Sequence, residues 1–402
     1  MISVEEALAA ILVDVPLTPG EIVPLDRCHG LAPVQRRLTA RVNVPPFDNS
    51  AMDGFAVRAD DTPGELRLVG EVAAGTAGAT PVEPGTTVRI MTGAPLPPGA
   101  DAVAPLEIAD ERDEVVLVPA VQRGAHVRPA GGDTRAGDEL ELPDGPLSAA
   151  GVAVLASLGV GEVEVHRPPR VAILSTGDEL RAPGATLGPG QIHDANSASL
   201  AAAVLETGGT PEVLPRAGDD ARQISGALLG SLAMADLLVV SGGVSVGRYD
   251  HVRDVIERHG SLEFWRIRVQ PGKPLAFGRL RDSSVERPVI GLPGNPVSAL
   301  VTFELFVRPL LRAMLGLSGS GRVRVPAVAT ERVGKDPERR AYLRVVLASD
   351  GKGGYEARAA GGQGSAQLRP LAAANALLIV PEGVEAAEPG STYDALVIGE
   401  LP

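Results

Sequence analysis

Four stretches of this chain gather residue types that handle phosphate and hard cations. They are Ser175, Thr176, Gly177, Asp178 and Glu179; Asp219 and Asp220; Ser241 to Gly247 with Asp250; and Pro293, Gly294, Asn295 and Pro296. Glycines such as Gly242, Gly243 and Gly247 let backbone N–H groups converge on an anion, and Ser241 and Ser245 add hydroxyl donors. Glu179, Asp219 and Asp250 offer the oxygen ligands that Mg²⁺ takes. Any single carboxylate is more simply read as a helix cap or dipole complement, worth under about 1 kcal/mol. Several such turns on one edge favour a site. Lys273, set between prolines in PGKP, is a candidate counter-charge for an oxyanion, with Arg266 and Arg268 nearby. The bland alternative is a solvated surface lysine.

These turns share an edge only if the segments before them are parallel strands. The run Leu237, Leu238, Val239, Val240 is continuously apolar and flanked by turn signals, which suits a strand covered on both faces. Sheets of that kind place ligands outside their carboxyl ends. Strands RVAILSTG and RPVIG alternate with helices predicted at Asn196–Glu206 (capped by Asn196), Asp220–Ala233 and His251–His259, and from Pro296 onward. Residues 168–316 are therefore predicted to form a three-layer α/β domain with a mostly parallel sheet.

Residues 44–136 are dense in turn formers between alternating segments and predict a β-rich insert domain. On spacing alone, Asp48, Asn49, Asp53 and Thr92 read there as Asx turns and caps. A helix is expected over 3–13, with Ser3 as cap and Glu6 three residues on. Residues 137–167 hold a further helix and strand, which grouped with 1–43 give one discontinuous domain. In 317–402 the helices are expected to stop, and short runs such as AYLRVVLA predict a small β-barrel or sandwich.

Composition narrows the function classes. The 402 residues are enough for two to four domains, at about 100–200 residues each. A formal charge of −13 without a Lys/Arg run argues against a nucleic-acid surface. The single cysteine, Cys28, excludes a disulfide framework and cysteine metal sites, and points to a reducing cytoplasm. The acidic amphipathic start MISVEEALAAILVDV does not read as a leader, and no apolar run reaches the roughly 18 residues that span a membrane.

Two rival motifs fail on their surroundings. Gly243–Gly247 matches G-x-S-x-G after a strand, but the only histidines beyond Ser245 are His251 and His259, in or beside the next helix. Gly242 and Gly247 have the spacing of a nucleotide phosphate loop, yet Arg248 and Tyr249 stand where Lys and Ser/Thr are needed.

Six ordered motifs, PPFDNSAMDG, RIMTGAPLP, AILSTGDEL, SGGVSVGRYDHV, PGKP and GLPGNPVSALVTF, resemble the molybdopterin molybdenumtransferase (MoeA) family, which includes the E domain of gephyrin. The resemblance implies four domains: a discontinuous elongated one, the β-rich insert, an α/β molybdopterin-binding domain and a C-terminal β-barrel. It implies Mg²⁺-dependent insertion of molybdate into adenylylated molybdopterin, with release of AMP and molybdenum cofactor. It also implies a homodimer whose cleft lies between the α/β domain of one subunit and the insert of the other. The molybdopterin adenylyltransferase is a candidate partner.

Carried over by motif, Asp53 and Thr92 are insert contributions to the cleft, with Asp133 a weaker one; Glu179, Asp219 and Asp250 resemble the functional and metal-holding carboxylates. The turn Ser241–Gly247, with Ser175, Thr176, Gly177 and Pro293–Pro296, would cradle the pterin phosphate or its adenylate. Lys273, Pro274, Ser298, Arg344 and Ser365 resemble the molybdate pocket, whose tetrahedral dianion needs such donors. Two residues depart from the pattern: Gln270 stands where many members carry Lys, and His193 replaces a common Tyr. A non-catalytic carrier paralogue and the adenylyltransferase itself are the alternatives. Intact Asp53, Thr92, Glu179 and Asp250 argue against the first, and the insert and barrel against the second.

Overall fold

The computed structural model describes all residues except 76–79, 244–250, 284, 320 and 402. Its central sheet has six strands in the order Thr210–Val213, Arg170–Ser175, Leu237–Ser241, Glu286–Leu292, Pro274–Arg281, Gly260–Arg266. The first four run parallel, and Pro274–Arg281 runs antiparallel to both its neighbours. Successive residues of a strand point to opposite layers. Val171, Ile173, Leu237 and Val239 pack with Leu200 and Val204 of helix Ala195–Glu206. Ala172, Leu174, Leu238 and Val240 pack instead with Ile224 and Leu228 of helix Ala221–Ser231 and Val252 of helix His251–His259. Strand Leu237–Ser241 is buried along its whole length, which explains its lack of polar alternation. Each aliphatic side chain so covered contributes about 1.5–3 kcal/mol.

Helix boundaries moved where polar side chains had more than one use. The helix predicted from an Asn196 cap is capped by Asp194, which accepts from the Ser197 N–H at 3.0 Å. Asn196 is thereby free for other work. Asp220 is a cap, accepting from the N–H groups of Arg222 and Gln223. The first helix, Val4–Ile11, opens with the Ser3–Glu6 capping box. Its Val4, Ala7 and Ile11 join the same core cluster as Leu292, Phe303 and Tyr342. The helix therefore lies against the α/β layers, not among the 137–167 elements with which it was grouped. Those elements pair with the part of the first segment that follows the helix: Glu162–His166 with Gly20–Pro24, and Glu139–Glu141 with Arg37–Thr39.

The insert holds a six-stranded sheet, from Ala102–Pro105 at one edge to Asp110–Arg112 at the other. In the C-terminal region five strands close on themselves: Arg340–Ser349, Tyr355–Ala359, Arg324–Ala329, Thr392–Val397 and Ala376–Val380, the last pairing back to the first. It is a barrel, not a sandwich. A short helix, Leu368–Ala373, interrupts the expected all-strand pattern. Val269–Gln270, from the α/β region, adds a parallel strand to the barrel at Arg340 and Ala341. Among the described residues no helix is long and apolar enough to cross a membrane.

Candidate active site

A cavity of about 1110 Å³ opens at the carboxyl ends of the parallel strands. The strand-end turns contribute Thr176, Gly177, Glu179, Asp219, Ser241, Gly242 and Gly243 to its wall. Lys273 and Pro274, the Pro293–Pro296 turn with Ser298, and Ser365 of the barrel complete the predicted set that it brings together. Ser245, Gly247 and Asp250 lie outside the described residues. Ser175 is buried behind the wall, with its hydroxyl on Asp194 and Ser197, so it supports the helix start and does not face the cavity. Asp53, Thr92 and Asp133 are not part of the lining. Asp53 Oδ1 accepts from the Thr92 N–H at 2.6 Å and its hydroxyl at 2.8 Å, and these bonds hold the exposed Asp53 carboxyl below its usual range.

The glycine turn of the cavity depends on close backbone packing. Gly242 and Gly243 have φ of 91° and 64°, and a Cβ on Gly242 would sit 2.9 Å from the Thr176 carbonyl oxygen. Thr176 Oγ1 is buried there without a hydrogen-bond partner among the described residues. A buried hydroxyl left unpaired costs about 1–3 kcal/mol, so a ligand that bonds it gains accordingly. Asn196, freed from capping, donates to Ser241 Oγ at 2.7 Å and to the Gly294 carbonyl at 2.8 Å. It ties two cavity turns together. The sequence reading missed this, although Asp194 two residues earlier is an equally good cap by type.

The acidic wall is built by neighbouring turns. Asp178 Oδ1 accepts from the Asp219 N–H at 3.1 Å, linking the turns that carry Glu179 and Asp219. Gly177, at φ 144°, leaves room for the Glu179 carboxylate: a Cβ there would lie 2.4 Å from Oε2. Gly177→Ala should therefore displace the Glu179 carboxylate from the cavity wall, with an expected loss of turnover of at least about ten-fold. Steady-state rates beside thermal melts check this; wild-type turnover in a folded variant would contradict it. Among the described residues no group of three or more His, Cys, Asp or Glu forms a metal cage. Mg²⁺ does not require one, since it usually binds through one or two carboxylates, waters and substrate phosphates. Glu179 and Asp219 fit that pattern.

The cationic side chains of the lining are Lys273 and Arg339. Arg344 is not part of the lining: it is wholly buried behind the Gln363–Ser365 loop, with Nη2 donating to the carbonyls of Gly362 and Gly364, while Nε and Nη1 have no hydrogen-bond partner among the described residues. Burial pulls its pKa down. The Gln363 side chain clamps the Arg344 backbone, accepting from its N–H at 2.9 Å and donating to its carbonyl at 3.1 Å. The loop is docked by the Val297 N–H, which donates to the Ser365 carbonyl. Lys273 is exposed at the cavity and has no ion-pair partner among the described residues. Arg268 points elsewhere, to the Met1 carbonyl and Glu6. Gln270 and Arg339, the latter not foreseen from sequence, also line the wall.

Three family models match in order: the MoeA N-terminal region (domains I and II) over 2–159, a probable molybdopterin binding domain over 172–313, and the MoeA C-terminal region (domain IV) over 326–398. The chain belongs to the MoeA family. Among relatives of the MoeA family, molybdopterin molybdenumtransferase 2 of Mycobacterium tuberculosis is 40% identical over 378 residues, covering 90% of this chain and 91% of its own. Molybdopterin molybdenumtransferase of Nostoc sp. is 36% identical over 395 residues, covering 95% and 89%. A solved structure of the molybdopterin biosynthesis MoeA protein of Pyrococcus horikoshii superposes with a TM-score of 0.83 at 31% identity, covering 99% of both chains.

Proposed function

We propose that this chain inserts molybdenum from molybdate into adenylylated molybdopterin, releasing AMP and molybdenum cofactor in the last step of that cofactor's synthesis. The observation that carries the reading is Arg344: a guanidinium wholly buried, with two nitrogens unpartnered, behind the loop that brings Ser365 to the cavity. Leaving such a charge unpaired in the interior costs several kcal/mol, which a bound dianion offsets. Together with Lys273, Pro274, Ser298 and Ser365, Arg344 binds and orients the tetrahedral oxyanion. Thr176, Ser241, Gly242 and Gly243 hold a phosphate of the pterin nucleotide.

Magnesium dependence belongs to the same proposal. Glu179 and Asp219, with Asp250, would hold the ion, which when bound supplies charge neutralisation for the phosphate bridge. Glu179 orients the water that attacks the adenylate phosphorus, and AMP leaves as the bond to the pterin phosphate oxygen breaks. Asp53 and Thr92 would reach a cavity from the insert of a second subunit, so the working form is a homodimer. The proposed domain division is 1–43 with 137–167, 44–136, 168–316 and 317–402, with helix Val4–Ile11 of the first docking on the α/β layers. A cytoplasmic setting, supported by the single buried Cys28, and delivery of the nucleotide by the adenylyltransferase complete the reading.

The test is AMP release from adenylylated molybdopterin by the purified protein. Release that requires molybdate is expected. Release without molybdate, or none, would overturn the insertion role, and none with retained nucleotide binding would mark a carrier.

A further inference from the structure

Among the described residues, the charged side chains lining the cavity are Glu179 and Asp219 on one side and Lys273 and Arg339 on the other. Arg339 sits on an unusually well-fixed turn. Lys335 Nζ donates to the carbonyls of Asp336 and Arg339 at 3.0 and 2.6 Å, and Asp336 Oδ1 accepts from the Glu338 N–H at 2.9 Å. Asp336 Oδ2 takes Arg339 Nε at 2.7 Å and Nη2 at 2.6 Å. That carboxylate occupies the Nε side of the guanidinium. Nη1 has no partner among the described residues, which leaves the end-on edge for a second anion. The Arg339 side chain is 25% exposed, enough to reach solvent and too little to swing freely.

Asp336 links this arginine to a second position. Its backbone N–H donates to Gln270 Oε1 at 2.9 Å, so the neutral Gln270 is anchored by the residue that orients Arg339. Gln270 stands where the resemblance leads one to expect a lysine, and it lines the same wall. We infer that Arg339 is a binding residue for a tetrahedral oxyanion at the barrel side of the cavity, providing the positive charge that Gln270 lacks. The inference rests on the proposed molybdate chemistry. Asp336 holds the guanidinium planar to the cavity, and the incoming oxyanion takes Nη1 and the second Nη2 hydrogen. The two anionic sources available are free molybdate and the phosphate of the nucleotide.

The competing view is a surface ion pair that only fastens the turn, worth about 0–1 kcal/mol. Isothermal titration of molybdate and, separately, of AMP into the parent protein, R339Q, R339K and the double variant Q270K/R339Q distinguishes the two. R339Q should bind one of these anions about ten-fold more weakly, as expected for loss of a charge-assisted hydrogen bond. Weakening confined to molybdate assigns Arg339 to the free oxyanion, and weakening confined to AMP assigns it to the phosphate. R339K should be intermediate, and Q270K/R339Q should recover most of the affinity. In turnover, KM for the affected substrate should rise about ten-fold while kcat stays within about three-fold. Affinities for both anions within two-fold of the parent in R339Q, or a uniform loss that R339K and the double variant do not relieve, would overturn the proposal. Absent turnover in the parent protein would instead count against the insertion reaction, because the binding comparison is read independently of it.

Discussion

Glu179→Ala is expected to reduce molybdate-dependent AMP release by about 10²–10⁴-fold, the range for removing a positioned proton-handling or metal-holding carboxylate. The bland role for an acidic residue after a strand is to cap the next helix in sequence, and Glu179 does not do so. The next helix begins at Ala195, and its cap is Asp194. Asp220, by contrast, is spent on its own helix, which is why it takes no part in the prediction. Glu179 instead lies over Gly177 at the cavity wall. Glu179→Gln keeps the shape and removes the charge, so it should be nearly as inactive. Rates are to be read beside circular dichroism and thermal melts. A folded Glu179→Ala protein with more than about a third of parental turnover would remove the residue from the mechanism.

Arg344→Met should separate stability from function. Each hydrogen bond from a charged donor to a buried anion contributes about 1.5–3 kcal/mol, so losing both unpartnered nitrogens should weaken molybdate binding by about 10²–10⁴-fold. On the stability side two effects oppose each other. The carbonyls of Gly362 and Gly364 lose a donor, at about 1–3 kcal/mol, while an uncompensated buried charge is removed, which is often neutral or favourable. Denaturant midpoints within about 1 kcal/mol of the parent are therefore expected. Direct titration of molybdate, with urea unfolding alongside, provides both readings. Retained molybdate affinity in the variant would move the oxyanion site away from Arg344.

How much of this was visible beforehand depended on whether a residue had one plausible use or several. Leu237–Ser241 could only be a covered strand, and it is one. The turns after it share an edge because the strands are parallel, as the helix–strand alternation required. Asp194 and Asn196 are both competent caps two residues apart, and only the built helix shows that the first caps while the second braces Ser241 and Gly294. Ser175 had the right type and motif, but the strand's period turned its hydroxyl toward Asp194. Arg344 was marked by resemblance alone, since an arginine inside AYLRVVLA carries no local sign that it is buried without a counter-charge. Arg339 was invisible for the opposite reason: next to Arg340, in a run of charges, it looks like any solvated residue. The docking of helix Val4–Ile11 on the α/β layers rests on contacts across hundreds of residues, beyond any local pattern.

The strand Val269–Gln270, which leaves the α/β layers to lie along Arg340 and Ala341, makes the barrel a poor candidate for production as a separate fragment. A gene cut near residue 317 would strip the Arg340 edge of its backbone partner and expose the wholly buried Tyr342 and Leu377 that pack against the other half. An uncovered edge beside newly bared apolar surface invites chain-to-chain strand addition. Fragment expression for crystallography or partner screening would then yield aggregates, whereas a boundary placed between the insert and its neighbours crosses no such shared strand.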